Sequence, residues 1–171
     1  MIKPIRPTRT PLTTKIAAGR QQSASAIVRE HWQRFGRDYF TRHDYEDIDL
    51  SPANALIDRL RSSLAGLPGK RFSGLAVVAT DDFQYRDPVD GSLSEAQGIR
   101  VHFDNGGRVV FRLSGTGTSG ATLRVYCDRH YGAAGMLAMD PQQALADVLH
   151  AADELAGIRQ ATGRERPDVI T

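Results

Sequence analysis

The spacing of apolar positions along this chain changes several times, and each change marks an element. Ile27, Val28, His31, Trp32 and Phe35 fall at helical spacing. Ser23 or Ser25 can cap that helix, and Gly36 ends it. Asp38–Tyr45 is aromatic-rich and reads as a strand. Ser51-Pro52 opens a second helix by cap and first-turn proline, with Leu56, Ile57, Leu60 and Leu64 on one face and Pro68 closing it. Beyond this point strand patterns take over. Leu75–Thr80 is β-branched and apolar, Phe83 and Tyr85 alternate, and Asp87–Gly91 is a turn. Gly98–Phe103 is a strand, Asp104-Asn105-Gly106-Gly107 a hairpin turn, and Arg108–Leu113 and Ala121–Cys127 are strands. Asp140-Pro141-Gln142-Gln143 has the form of a capping box. It predicts one last helix, with Leu145, Val148, Leu149, Ala152 and Leu155 on its apolar face and Gly163 at its end. Consecutive strands on short turns, with helices before and after, predict an α+β fold: an antiparallel β-sheet with helices packed on one face. Residues 1–22 show no such period and are expected to be extended or poorly ordered, leaving 23–171 as the folded domain.

Length and charge narrow the class. A chain of 171 residues is one ordinary domain with room for a tail. Its 22 basic and 20 acidic residues nearly cancel, so bulk charge makes no case for nucleic acid as a partner. The single cysteine, Cys127, cannot form an internal disulfide and suits a reducing cytoplasm, the expected location. No apolar run reaches the length of a membrane span, and Met1–Arg9 lacks the apolar core of a secretion signal, so no membrane partner is expected.

The stretch from Arg112 to Arg124 carries the candidate chemistry. Two arginines on apolar strand segments flank a loop built of Gly, Ser and Thr. Glycine-rich turns let successive N–H groups converge on an anion, and the hydroxyls of Ser114, Thr116, Thr118 and Ser119 can add hydrogen bonds. Two guanidinium forks match a phosphate in charge and shape. If the loop joins antiparallel neighbours symmetrically about Thr118, Arg112 and Arg124 stand opposite each other on one face. Like charges so placed are unfavourable unless an anion lies between them. The alternative is a flexible hairpin loop with two solvated arginines. The loop is neither a Walker A motif nor a dinucleotide fingerprint, because a strand rather than a helix follows it.

The loop R-L-S-G-T-G-T-S-G-A-T-L-R also resembles the phosphate-binding loop of phosphoglucomutases, in the α-D-phosphohexomutase superfamily. The resemblance extends over roughly residues 23–171. It includes His31–Glu46 (H-W-Q-R-F-G-R-D-Y-F-T-R-H-D-Y-E), Phe83–Ser92 (F-Q-Y-R-D-P-V-D-G-S) and the end of the chain from Thr162. It implies only the fourth, carboxyl-terminal domain of such an enzyme, with a TATA-binding-protein-like fold. The family's phosphoserine motif, Asp-rich magnesium loop and sugar-binding loop have no counterpart in this sequence. The resemblance therefore implies no catalytic residue in this chain and no cofactor, magnesium belonging to the intact isomerase, an intramolecular phosphotransferase of carbohydrate metabolism. It assigns Arg112, Ser114, Gly115, Thr116 and Arg124 to the substrate phosphate, and Gly117 and Gly120 to shaping the loop. The implied partners are a phosphosugar, inorganic phosphate or sulfate, and the missing mutase domains.

Other residues receive plainer expectations. Cys127 falls on the core face with Leu123 and Val125, as an inert buried thiol. Trp32, Phe35, Tyr39 and Phe40 are expected in the core rather than as a base-stacking surface. His43, Asp44, Glu46, Asp47 and Asp49 read as a solvated edge leading into a helix rather than a metal site. Arg37, Arg42, His102, His130 and Tyr131 carry no assigned role.

Overall fold

The computed structural model describes residues 18–115 and 120–171. The chain forms two compact units. Among the described residues, one contains 18–37 with Tyr131–Leu137, the other Asp38–His130 with Ala138–Thr171.

The first unit is built on helix α1 (Ala24–Phe35). Ser23 caps it, its hydroxyl accepting from the Ala26 amide at 3.2 Å, and Gly36 turns the chain out at φ 88°. The Arg37 guanidinium lies 4.1 Å from the Trp32 ring centre and donates to the Leu137 carbonyl at 2.8 Å. No residue of α1 is buried. The core expectation for Trp32, Phe35 and Phe40 is therefore corrected: only Tyr39 of that aromatic group is enclosed, while Phe35 and Phe40 are more than half exposed. Helical spacing specifies a stripe, but a stripe is buried only where a second apolar layer meets it.

The second unit is built on a seven-stranded sheet of β1 (Arg37–Ile48), β2 (Arg71–Phe72), β3 (Leu75–Asp82), β6 (Ile99–Phe103), β7 (Gly107–Ser114), β8 (Ala121–Tyr131) and β9 (Val169–Ile170). Their order across the sheet is β2-β3-β6-β7-β8-β1-β9. A separate hairpin joins β4 (Tyr85–Arg86) to β5 (Leu93–Ser94). The β2–β3, β3–β6, β6–β7, β7–β8 and β1–β9 pairs are antiparallel. Contacts of β1 run the same way on its other side: Asp38 meets His130, Phe40 meets Tyr126, and Asp44 meets Arg124.

Alternation of burial along the central strands β6, β7 and β8 gives the sheet two faces. Ile99, Val101, Phe103, Val109, Phe111, Leu123, Val125 and Cys127 form the covered face. Helix α2 (Leu50–Ser63) packs there with Leu56 and Leu60, and helix α4 (Ala146–Ala156) with Val148, Ala152 and Leu155. Arg100, Arg108, Val110, Arg112, Arg124, Tyr126 and Asp128 occupy the opposite, open face.

Several boundaries differ from the sequence reading: α2 ends at Ser63, and β1, β3 and β8 run on to Ile48, Asp82 and Tyr131. Asp49, not Ser51, takes the cap position of α2. The last helix is three pieces: α3 (Pro141–Ala144), α4 and α5 (Ile158–Thr162). Asp140 caps the first, accepting from Gln142. Leu145 (φ −108°, ψ 7°) and Gly157 (φ 55°) interrupt the helical path. The left-handed turn at Gly157 redirects the chain so that Ile158 is buried, and Arg59 donates to the freed Ala156 carbonyl.

Candidate anion-binding site at the end of the open face

Strands β7 and β8 bring the candidate residues together. Their register sets Arg112 opposite Arg124 and Ser114 opposite Thr122. Both arginines thus stand on the open face where the two strands run into the glycine-rich loop. Gly115 and Gly120 form its neck, at φ 96° and 97°. A Cβ on Gly115 would stand 3.1 Å from the Gly120 carbonyl oxygen. A Cβ on Gly120 would stand 3.2 Å from the Asp47 Cα and 3.3 Å from the Ile48 oxygen. Only a residue without a side chain permits that approach without strain or displacement of the β1 backbone. Thr116 and Gly117, with the hydroxyls of Thr118 and Ser119, lie outside the described residues.

Charge pairing is uneven along the open face. Away from the loop each arginine has its own carboxylate. Arg100 grips Asp81 through two hydrogen bonds of 2.7 and 2.8 Å, and lies 4.3 Å from the Phe83 ring centre. The bond from Arg100 holds the Asp81 carboxyl below its ordinary range, and Asp81 in turn raises Arg100. Arg108 donates to Asp128 at 2.9 and 3.0 Å. At the loop end the ratio changes. Asp44 lies 3.0 Å from Arg42 Nε and 3.7 Å from Arg124 Nε. Arg112 is exposed and, among the described residues, makes one long hydrogen bond, 3.5 Å to the Gln97 carboxamide. Arg42 and Arg124 thus share one aspartate, and Arg112 opposes Arg124 with no acidic partner among the described residues.

This corrects the reading of the acidic run as a solvated edge. Glu46, Asp47 and Asp49 are exposed, but Asp44 is only 3% exposed and His43 contacts Gln142 at 2.9 Å. The cause is that β1 continues to Ile48 with β8 on one side and β9 on the other, so Asp44 sits inside the sheet rather than after a strand. The alternation Arg42–Asp44, two residues apart on one strand face, was the available signal. His130 also gains a partner, with Nδ1 2.8 Å from Asp38.

A groove of about 800 Å³ opens beside Arg112, with Phe40, Tyr85, Val110 and Tyr126 among its walls. Cys127 is on the covered face, as expected, and burial pushes its thiol up to about 12, with a smaller contribution from Asp128. Among the described residues no three His, Cys, Asp or Glu side chains converge as a metal site, and no helix is long and apolar enough to cross a membrane.

Comparison with known proteins gives the family. A model of the phosphoglucomutase-1 C-terminal domain matches residues 37–168. A phosphoglucomutase of Rhizobium radiobacter is 50% identical over 156 residues, which cover 91% of this chain and 29% of that protein. Human phosphoglucomutase-1 is 43% identical over 162 residues, again 91% of this chain and 29% of the relative. The solved open form of the Paramecium phosphoprotein pp63/parafusin, a phosphoglucomutase, superimposes with a TM-score of 0.78 at 36% identity. It covers 92% of this chain, which matches 28% of the parafusin chain. The chain therefore spans less than a third of the length of these relatives. Paired arginines at the mouth of a glycine-rich hairpin, on a sheet of this topology, accompany these matches, and the chain belongs to the phosphoglucomutase C-terminal-domain family.

Proposed function

We propose that the loop end of the open face holds the phosphate of a phosphosugar, and that this chain is the phosphate-gripping part of an enzyme interconverting glucose 1-phosphate and glucose 6-phosphate. The observation that carries the reading is the opposition of Arg112 and Arg124 at the loop mouth, with Arg124 sharing the one buried carboxylate of Asp44 with Arg42. A phosphate dianion between the opposed arginines relieves their repulsion and accepts from their forks. Ser114 and Gly115 stand at the same mouth, and Thr116 is the further contact proposed from the loop. The chain alone is not catalytic in this reading. Gripping a phosphate supplies neither a nucleophile nor a Lewis acid for moving one. Magnesium and the phosphorylated serine belong to the missing mutase domains, the proposed protein partners, and the proposed setting is the cytoplasm.

One observation favours a second reading, a stand-alone module for sugar phosphates. The groove beside Arg112 offers aromatic walls against which a sugar ring can lie. The measured mass of the natural chain separates the two, since the first reading requires the other domains in the same protein.

Titration of the 171-residue chain with glucose 6-phosphate, inorganic phosphate or sulfate tests the site. Expected affinity is on the order of millimolar, roughly −4 kcal/mol, because ordering a glycine-rich loop offsets much of the gain from charged hydrogen bonds. Backbone amide signals of residues 114–120 should move. If they stay still at high ligand, or if an Arg112→Ala/Arg124→Ala double variant responds like the parent, the phosphate assignment is wrong. Magnesium-dependent mutase turnover by a verified pure chain would overturn the non-catalytic reading.

A further inference from the structure

Asp44 is an odd neighbour for an anion site, being an anion itself. Its side chain is 5% exposed, so it cannot meet a ligand. What it meets is the inner edge of two guanidinium groups. Oδ1 lies 3.0 Å from Arg42 Nε and Oδ2 3.7 Å from Arg124 Nε. Both Nε atoms are buried, and neither they nor Oδ1 have an aligned hydrogen-bond partner among the described residues. Yet the Arg42 and Arg124 side chains remain 32% and 41% exposed, and with Nε buried that exposure lies elsewhere on each side chain. One carboxylate thus backs two forks.

The backbone that carries it is tied down. The Asp44 carbonyl accepts from the Asp168 amide at 2.8 Å, and Arg42 exchanges backbone bonds of 2.8 and 3.0 Å with Thr171. Asp168 also accepts from the Glu46 amide, and Arg164 donates to the Glu46 carbonyl. Three residues past Asp44, the Asp47 backbone forms the wall against which Gly120 closes the loop. The same stretch of β1 therefore touches both Arg124 and the loop neck.

We propose that Asp44 is the positioning residue of the anion site: it holds Arg42 and Arg124 by their inner edges so that their outer forks meet a phosphate, which makes Arg42 a third binding arginine. This rests on the phosphate reading above. It also reverses what charge alone demands. Removing a negative charge beside an anion site strengthens anion binding by electrostatics. Removing an anchor weakens it, because a fork that must be ordered on binding loses part of its charged hydrogen bonds.

The experiment is a titration of the full chain and its Asp44→Asn variant with inorganic phosphate and glucose 6-phosphate, following arginine Nε–Hε signals by NMR. The expected result is affinity about tenfold lower in Asp44→Asn. In the ligand-free state the Arg42 and Arg124 Nε–Hε signals should move to the position of free arginine. Asp44→Glu keeps the charge but shifts the carboxylate, and should fall between the two; it decides the matter with the same readouts if Asp44→Asn does not fold. Leu155→Ala, which destabilises the covered core away from the site, should bind phosphate like the parent. Arg42→Lys, which retains charge and loses the fork, should weaken binding severalfold. Equal or tighter binding by Asp44→Asn overturns the proposal. If the parent itself ignores phosphate, the phosphate reading fails, and the anchoring is still decided without ligand: unchanged Nε–Hε signals in Asp44→Asn overturn it.

Discussion

The two ends of the open face use the same residue types to opposite effect. Away from the loop, Arg100 and Arg108 each have a private carboxylate, Asp81 and Asp128, at hydrogen-bonding distance. At the loop end, Arg42 and Arg124 share a buried Asp44, and Arg112 opposes Arg124 with no acidic partner among the described residues. The first arrangement is self-satisfied and its carboxylates are partly exposed, so it contributes little to stability and has little to offer a ligand. The second is under-neutralised and partly enclosed, where charge interactions are stronger. The ratio of guanidinium to carboxylate, more than the presence of arginine, separates a binding end from a structural one.

The largest expected contrast is in stability. Asp44→Ala strands two arginines whose inner edges are buried, and should cost about 3 kcal/mol of unfolding free energy. Asp128→Ala, at the paired end, should cost under about 1 kcal/mol. Denaturant unfolding of both variants measures the gap, and equal losses would erase the distinction between the ends.

Binding should divide the same way. Arg112→Ala should weaken phosphate binding by about 1.5–3 kcal/mol, the range for a charged hydrogen bond. Arg108→Ala should leave it unchanged, since that guanidinium is already engaged by Asp128. Calorimetric or NMR titration decides, and comparable losses would mean that the whole face, not its loop end, attracts the anion.

Gly120 sharpens the comparison through backbone. Gly120→Ala must adopt φ near 97° with its new methyl against the Asp47 backbone, and should destabilise by about 1–2 kcal/mol while weakening phosphate binding. Gly66→Ala, with open space around it and no left-handed φ, should be neutral or stabilise by about 0.5 kcal/mol. Thermal melts of the pair provide the test.

The smallest effect concerns the Arg100–Asp81 fork. Its carboxyl is depressed in the folded state by the hydrogen bond from Arg100. The stabilisation is thus present above the ordinary carboxylate range and is lost as pH falls through the folded value. Asp81 is 44% exposed, so solvent screening limits the contribution to under about 1 kcal/mol. Asp81→Asn should therefore unfold slightly more easily at neutral pH, with the difference shrinking as the solution is acidified. A difference that grows in acid would contradict the pairing.

Much of the covered face was legible in the chain. Alternation through Val109, Phe111, Leu123, Val125 and Cys127 marks strands with one buried side, and the buried thiol follows from it. The opposition of Arg112 and Arg124 was legible for a similarly local reason: two strands leaving one short loop pair about its midpoint. Asp44 was not legible. Its burial depends on β9 and the adjoining Asp168 closing on β1 from more than a hundred residues away. Nor was the break at Gly157, because a glycine within a helical pattern is tolerated unless packing, here the burial of Ile158, selects the left-handed turn.

The sequence by itself determined the strand periods, the hairpin with its glycine neck and the two arginines across it. These depend on neighbours a few residues apart, whose geometry the backbone restricts. Tertiary structure alone decided which acidic residue would be enclosed and which arginines it would hold. Burial and pairing arise from what packs beside a strand, and for Asp44 that is β8 on one side and the chain's last residues on the other.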